Sequence, residues 1–344
     1  MKASARDRLD GVLLLDKPVG PSSAQALGRA RWLLAAAKAG HGGTLDPLAS
    51  GVLPVLLGEA TKFSHDLLEA DKTYEACVRL GITTSTADGE GAVLARVGLL
   101  WEDGQRIEHG EALPLVPLST ALVHEACAAF CGRIVQVPPM HSALKKDGRP
   151  LYEYARAGLT VDVPTREVTI HAIEVLRIEL GQQNASPSNL EPIQPAALDV
   201  WIRVDCSKGT YIRTLAADIG ARLGCGAYLA GLRRTQVGDL KIEQSISLEA
   251  LEALPDRLAR RACLAPVDSL LGSLPRLALA AEEAERFCHG QPIDLSATVM
   301  AGDTRLQSES TTIPRLRIYC GERLLGLAQA QGRVLKPLRL LATN

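Results

Sequence analysis

Aromatic side chains are scarce in this 344-residue chain: three Phe, three Trp and six Tyr make up 3% of it. So sparse a set excludes an extended surface on which many flat rings or bases could stack. Net charge is scarce too, at −1 at neutral pH, which argues against a protein that holds polyanions through bulk charge. No stretch approaches the roughly 18 consecutive apolar residues of a membrane span. The run Val12-Leu13-Leu14-Leu15 is broken at once by Asp16 and Lys17, and it lacks the length and cleavage site of a secretion signal. The eight cysteines form no CxxC pair, so a zinc site is not expected. Cys77, Cys127, Cys131 and Cys263 stand singly in apolar stretches and read as small buried hydrophobes. That usage fits a reducing compartment, and the cytoplasm is the expected location. Neither GxGxxG nor the P-loop pattern GxxxxGKS/T occurs, which leaves a nucleotide-binding loop unsupported.

What remains is ordinary globular material. Apolar residues are 47% and charged residues 22%, enough for a sizeable core, and the length suits one large domain with a small one appended. The charge is unevenly placed. Between 203 and 241, seven Lys or Arg stand against three Asp, an excess of four. Residues 28–45 carry Arg29, Arg31 and Lys38 with no acid, and 145–156 adds Lys145, Lys146, Arg149 and Arg156 against Asp147 and Glu153. If these segments share a face, they form a basic surface on a near-neutral protein.

A strand is predicted at 11–15, closed by the turn signals Asp16, Pro18, Gly20 and Pro21. Ser22 or Ser23 can cap a helix running to about residue 38, with Gly40 placed to end it. The Gly- and Pro-rich segment 41–51 then forms a constrained loop before the apolar stretch 52–57. Residues 73–80 alternate, with Tyr74, Ala76, Val78 and Leu80 on one face and Thr73, Glu75, Cys77 and Arg79 on the other. This is a half-buried strand with Tyr74 on its apolar side. A strand at 200–206 and a turn at 207–209 should lead into a helix capped by Thr210. Ile212, Leu215, Ala216 and Ile219 follow at helical spacing, and Gly220 and Gly224 mark the end. Segments 182–195 and 296–312 read as polar insertions. Pro266, Gly272 and Pro275 suggest a boundary, and strand-like runs at 315–320, 324–329 and 334–341 make a small β-rich tail. The expected domains are 1–270 and 275–344.

On its own, Asp46-Pro47 in a glycine-rich loop is a turn, the Asp bonding backbone ahead of it and Pro fixing the next dihedral. Its setting says more. The motif GHGGTLDPLASGVL (40–53) resembles the active-site motif of the TruB family of tRNA pseudouridine synthases. So do its continuations Gly58-Glu59-Ala60-Thr61-Lys62-Phe63 and Asp71-Lys72-Thr73-Tyr74. The opening GVLLLDKPVGPSS (11–23), PPMHSALKKDGRPLYEYARAG (138–158), GTYIRTLAADIG (209–220) and GCGAYLAGLRR (224–234) also match, in family order. The resemblance spans roughly 11–245, and the tail is more distantly similar to the PUA RNA-binding domain that such enzymes often carry. One departure is Gly42, where a Thr is usual.

The resemblance implies an α+β pseudouridine synthase fold: a mixed, largely antiparallel sheet with flanking helices, then a small PUA-like β-rich domain. It implies isomerisation of the T-loop uridine of tRNA (position 55) to pseudouridine. The glycosidic bond is cleaved and re-formed through C5 after the base is flipped out of its loop. Nothing is oxidised or hydrolysed, so no cofactor and no metal is expected. The catalytic aspartate falls on Asp46, its arginine partner on Arg213 and the stacking tyrosine on Tyr74. Tyr211 and Leu232 match substrate contacts, His41 the histidine of the flipping region, and Lys62 a lysine grouped with the substrate-binding residues. Taken singly, Arg213 could instead be a phosphate contact, Tyr74 a core ring and His41 a structural histidine.

The carboxylate could attack C6 or C1′, or take a proton from C2′. Asp46 must be ionised for each; burial raises its pKa and a neighbouring guanidinium lowers it. With few aromatics, recognition should rest on RNA shape and phosphate contacts. One site per chain needs no protein partner, and a monomer is expected. Two other readings are weighed. An RNA-binding folding helper would have no use for Asp46, Tyr74 and Arg213 together. An N-glycosidase would need a second acid to activate water, for which Asp88 in the turn Thr86-Ala87-Asp88-Gly89 is the nearby candidate.

Overall fold

The computed structural model describes residues 6–107, 115–142, 144–159, 161–181, 197–295 and 315–342. The expected insertions at 182–195 and 296–312 lie outside the described residues. The centre is a ten-stranded mixed sheet. Its strands are β1 (Gly11–Lys17), β2 (Ala39–His41), β3 (Ala49–Leu57), β4 (Lys72–Leu80) and β5 (Gly132–Gln136). Then come β6 (Arg166–Gly181), β7 (Ala197–Cys206), β8 (Ala227–Val237), β9 (Leu240–Lys241) and β10 (Ile246–Ser247). They lie in the order β5-β6-β7-β4-β8-β3-β1-β10, with β2 added to β3 and β9 to β8. The β3–β8 and β1–β10 pairs are parallel, and the other pairs are antiparallel. This is the expected α+β architecture.

Sequence pattern decides which parts of the sheet are covered. The strands β1 and β3 are continuous apolar runs because both faces are buried. Leu13, Leu15, Leu53, Val55 and Leu57 meet Ala26, Ala30, Leu33 and Leu34 of helix α1 (Ser23–Leu34). On the other face Val12, Leu14, Val52 and Leu56 meet Leu67, Val237 and Leu240. The alternating strand β4 buries Tyr74, Ala76, Val78 and Leu80 with Leu215, Ala216 and Ile219 of helix α2 (Ile212–Arg222). Its other face carries a charged ladder, in which Arg203 pairs with Glu75 and Glu174, and Arg79 grips Asp199 with two bonds of 2.7 Å.

Three local expectations are corrected. Helix α1 is capped by Ser22, whose Oγ accepts from the Gln25 N–H while the Gln25 side chain accepts from Ser22 N. It stops at Leu34 rather than near 38, with Ala35 left-handed at φ 53°. Tertiary contacts override the helical propensity of the alanines: Asp7 bonds the backbone of Ala35 and Ala37, and Arg31 bonds the carbonyl of Ala36. Gly40 therefore belongs to β2. Thr210 does not cap α2; its hydroxyl donates back to Ser207 O, and Tyr211 stands at the N-cap. Cys131 is exposed, because it follows helix Thr120–Ala128 at the margin of edge strand β5.

The C-terminal region forms the expected β-rich unit, a five-stranded sheet built from Arg276–Ala278, Ile293–Asp294, Arg315–Cys320, Arg323–Gln331 and Val334–Leu340. It also holds a helix, Ala281–Cys288, that was not predicted. Its signal was legible, since Ala284 and Phe287 sit one turn apart and Glu283 reaches back to the Ala280 N–H.

One feature of the sheet positions the site. Along one edge β3 pairs with β1 from Gly51 to Leu57, but its other edge is divided. There β8 pairs only at Ala49, Ser50 and Gly51, while β2 takes Val55, Leu56 and Leu57. The loop 42–48 fills the gap between them. At the seam, Gly51 has φ +105°, and a Cβ there would lie 2.1 Å from Arg234 O. Gly51→Ala should therefore destabilise the protein by about 3 kcal/mol or more, from backbone strain plus overlap with main chain that cannot yield. Thermal or urea unfolding against wild type reads this directly; an unchanged midpoint would mean that the seam is looser than described.

Candidate active site

The loop 42–48 has no strand to pair with, so its backbone groups are met one by one. The Gly42 N–H donates to Pro54 O and the Gly20 N–H to Pro47 O. Ser23 Oγ, buried at the start of α1, donates to Leu45 O at 2.9 Å and accepts from Leu45 N at 2.7 Å. Beneath the loop lies Arg234, 1% exposed, which donates to Val52 O at 2.9 Å and Gly43 O at 3.2 Å and reaches Thr44 O. Neither Ser23 nor Arg234 was singled out from sequence. Both sit inside matched motifs, but nothing local distinguishes them from a cap and a surface cation.

The Asp46-Pro47 turn exists, with the Ala49 N–H donating to Asp46 O at 3.1 Å. Its carboxylate, however, is aimed at Arg213, with Oδ2 3.1 Å from the guanidinium. Arg213 is 5% exposed and bridges two acids, its other side meeting Asp88 at 3.2 Å, and it also donates to His141 O at 2.7 Å. Asp88 is 3% exposed and is bonded by the Thr86 hydroxyl and the Glu90 N–H. It stands behind Arg213 and does not line the cavity. A carboxylate so placed anchors the guanidinium and has no route to activate a water, which removes the geometric basis of the glycosidase reading.

The cavity above Asp46 has a volume of about 350 Å³, within the usual range for a small-molecule site. Asp46, Arg213, Tyr74, Tyr211 and Leu232 all line it. Five of the seven predicted residues thus converge. Tyr211 is set by Gln136, whose side-chain amide bonds both its N–H and its carbonyl. Two predicted residues lie elsewhere. Lys62 points to the C-terminal domain, donating to Glu59 at 2.6 Å and Leu340 O at 2.8 Å. His41 lies on β2 outside the cavity lining, with Nδ1 buried and unpartnered among the described residues.

The electrostatics combine burial with close charges. Burial pushes the Asp46 pKa up, Arg213 pulls it back, Asp88 raises it and Lys17 lowers it, and the net shift is upward. Lys17 is fully buried, its Nζ donating to Pro18 O and Pro21 O, and burial brings its pKa down to about 8. Lys72, on the cavity wall, is likewise brought to about 8 by burial and gathers the carbonyls of Leu67, Leu68 and Ala70. Burial also lowers the His41 pKa, and Arg234 adds to that, which favours the uncharged ring.

The basic excess between 203 and 241 is largely spent internally: Arg213 and Arg234 are buried in the site, while Arg203, Lys208 and Arg233 are paired with acids. The cations at 145–149 do lie beside the cavity, on a hairpin turned by Asp147 and Gly148, both at positive φ. Leu144 at its base is part of the cavity wall.

A carboxylate held by an arginine thus lies under a pocket walled by a tyrosine and a leucine, in a mixed sheet followed by a β-rich one. Family comparisons identify the class as the pseudouridine synthases. Residues 31–212 match the TruB family pseudouridylate synthase N-terminal domain, 213–272 the tRNA pseudouridylate synthase B C-terminal domain, and 275–341 the C-terminal domain of pseudouridine synthase II TruB. The tRNA pseudouridine synthase B of Ralstonia nicotianae is 52% identical over 340 residues, covering 99% of this chain and 96% of that protein. The same enzyme of Burkholderia mallei is 51% identical over 341 residues, with 99% of each covered. A chain in the crystal structure of a Cbf5-Nop10-Gar1 complex superposes with a TM-score of 0.63 at 26% identity, over 96% of this chain and 84% of that one. An H/ACA RNP bound to a substrate RNA shares the fold, with a TM-score of 0.64 at 24% identity over 97% and 85%. The chain belongs to the TruB family of pseudouridine synthases, and it is an isomerase.

The cluster Asp46–Arg213–Asp88 carries two anions and one cation; Arg213 and Asp88 are buried, while the Asp46 side chain is 37% exposed, so solvent screens part of its effect on stability. Since the folded-state pKa of Asp46 is raised, the folded protein binds that proton more tightly than the unfolded chain does. Ionised Asp46 therefore lowers stability at neutral pH, and the deficit disappears as pH falls through its pKa. Asp46→Asn, which leaves a neutral Arg213–Asp88 pair, should melt at or above the wild-type temperature at pH 7, with the difference narrowing in acid. A clear loss of stability at pH 7 would refute the net upward shift.

Proposed function

We propose that this enzyme isomerises the uridine at position 55 in the T loop of tRNA, with Asp46 as the nucleophile. The observation that carries the reading is the Asp46–Arg213 pair at 3.1 Å in a cavity lined by Tyr74, Tyr211 and Leu232. A uridine in a folded loop is stacked and must be extruded to be reached. Tyr74 offers its ring as a platform for the flipped base and Leu232 an apolar edge. Tyr211, fixed through its backbone, offers a further contact. Arg213 keeps the carboxylate ionised against burial and aims it, while Asp88 fixes Arg213 from behind. His41, close to Arg234, supports the loop from β2 as the T loop opens.

In the reaction the N1–C1′ bond breaks, the base turns and C1′ bonds to C5. C5 loses its hydrogen and N1 gains one, so no electron acceptor or water is consumed. Attack at C6, attack at C1′ and removal of the C2′ proton all begin from ionised Asp46. The enzyme acts alone, in the cytoplasm, as a monomer in this reading. Binding comes from contacts to RNA shape and phosphates, with the cationic hairpin at 145–149 beside the cavity mouth.

Tritium release from a T-arm stem-loop labelled at uridine C5 tests the assignment, because forming the new bond must expel that hydrogen. Wild type should release it, and Asp46→Asn should release none while still binding the RNA. Near wild-type release by Asp46→Asn would sink the nucleophile assignment. Strand-annealing activity that persists in Asp46→Asn would show that RNA folding and isomerisation coexist in one protein.

A further inference from the structure

The short helix Ser64–Glu69 has the active-site loop on one side and the C-terminal domain on the other. On the loop side, Leu67 is 3% exposed and occupies the space that a side chain at residue 42 would need. A Cβ at Gly42 would lie 2.3 Å from Leu67 Cδ1 and 2.8 Å from its Cβ. The loop cannot retreat freely, since the Gly42 N–H is bonded to Pro54 O at 3.0 Å. Leu68 and Lys72, beyond Leu67, line the cavity that holds Asp46, and Lys72 ties the last carbonyls of the helix together. Helix end, cavity wall and loop are thus one close-packed unit.

On the other side, four contacts fasten this helix and the turn Gly58–Phe63 that leads into it to the C-terminal domain. Asp66 pairs with Arg315 at 2.6 Å, and Lys62 Nζ donates to Leu340 O at 2.8 Å. The Ala342 N–H donates to Glu59 at 2.6 Å, and the fully buried Phe63 packs with Leu271 and Leu327. These explain what Lys62 does in the absence of any contact with the cavity.

We propose that Leu67 is a positioning residue, through which the docked C-terminal domain sets the seat of the Asp46 loop. The inference rests on Asp46 as the reacting carboxylate. It makes the C-terminal domain a determinant of turnover and not only of RNA affinity. Substitution at residue 42 reports on it cleanly: the Gly42 backbone is not left-handed, so an added methyl meets Leu67 rather than a forbidden dihedral.

The test is single-turnover tritium release at saturating stem-loop RNA, with RNA dissociation constants and melting temperatures measured alongside. Gly42→Ala should slow release by about tenfold, since displacing reacting groups by an ångström can cost ~10²-fold. Gly42→Ala with Leu67→Ala should recover most of that rate by opening the space. Arg315→Ala removes only a half-exposed pair, so the chain should fold; its rate should fall several-fold with unchanged RNA affinity, and Arg315→Lys should restore it. A Gly42→Ala enzyme at wild-type rate, a double variant no faster than Gly42→Ala, or an Arg315→Ala defect confined to RNA affinity would each overturn the coupling. Wild-type release beside an inert Asp46→Asn settles the nucleophile separately, so failure of the coupling leaves that assignment intact.

Discussion

A cation sealed in a protein interior is tolerated only when its N–H groups are met, and a loop without strand partners is tolerated only when its carbonyls are. Arg234 satisfies both conditions at once. Its guanidinium, 1% exposed, bonds the carbonyls of Gly43 and Val52 and approaches that of Thr44. The strand that carries it touches β3 over three residues only, which leaves the gap the loop needs. Two glycines make the fit possible. Gly51, left-handed, lets the Arg234 backbone come close, and Gly43 turns above the guanidinium with φ +115°. The position of Asp46 follows from this arrangement, and so does the cavity over it.

Within that frame the site balances opposed electrostatic tendencies. Burial disfavours the ionised form of Asp46 and Arg213 favours it, while Asp88 both secures Arg213 and opposes Asp46. An isolated buried pair would leave the carboxylate quiet and low in pKa. A guanidinium shared between two carboxylates leaves the outer one only partly compensated and facing the cavity. Reactivity and stability are thereby set against each other in one cluster, a common pattern where a polar site is built into a core.

Much of this was legible in the sequence, and the exceptions have physical reasons. The strands β1, β4 and β7 followed from apolar runs and alternation, which report burial directly; β3 was read only as the apolar stretch 52–57, and its first three residues, Ala49 to Gly51, were assigned to the loop. Tyr74 was placed on the apolar face of β4 by period alone. Asp46 and Arg213 were paired only through the family motifs, because the 166 positions between them carry no spacing signal. Boundaries failed where tertiary bonds won: Asp7 and Arg31 end α1 early, and Gln136 displaces the cap of α2 from Thr210 to Tyr211. Lys62 was grouped with the substrate-binding residues because it matches a lysine of the family's next motif, yet a motif match says nothing of the side to which a lysine points. Asp88 was noticed only as the second acid that a glycosidase reading would need; its place behind Arg213 is seen from geometry alone, which shows that its oxygens are already bonded. The basic excess at 203–241 likewise counted charges without their partners.

The fastening of the loop also has a consequence in time. The carbonyls of Gly43 and Thr44 wait for a guanidinium 191 and 190 residues further along the chain. At ~5–20 residues per second, roughly 10–40 s of synthesis separate the loop from its anchor. Until then β3 can pair with β1 and β2, but one edge near Ala49 stays open and the carboxylate has neither Arg213 nor a cavity. The cavity over Asp46 is therefore among the last parts of the large domain to form on the ribosome. A nascent chain truncated before β8 would lack it and would expose an unpaired, apolar strand edge for quality control to recognise.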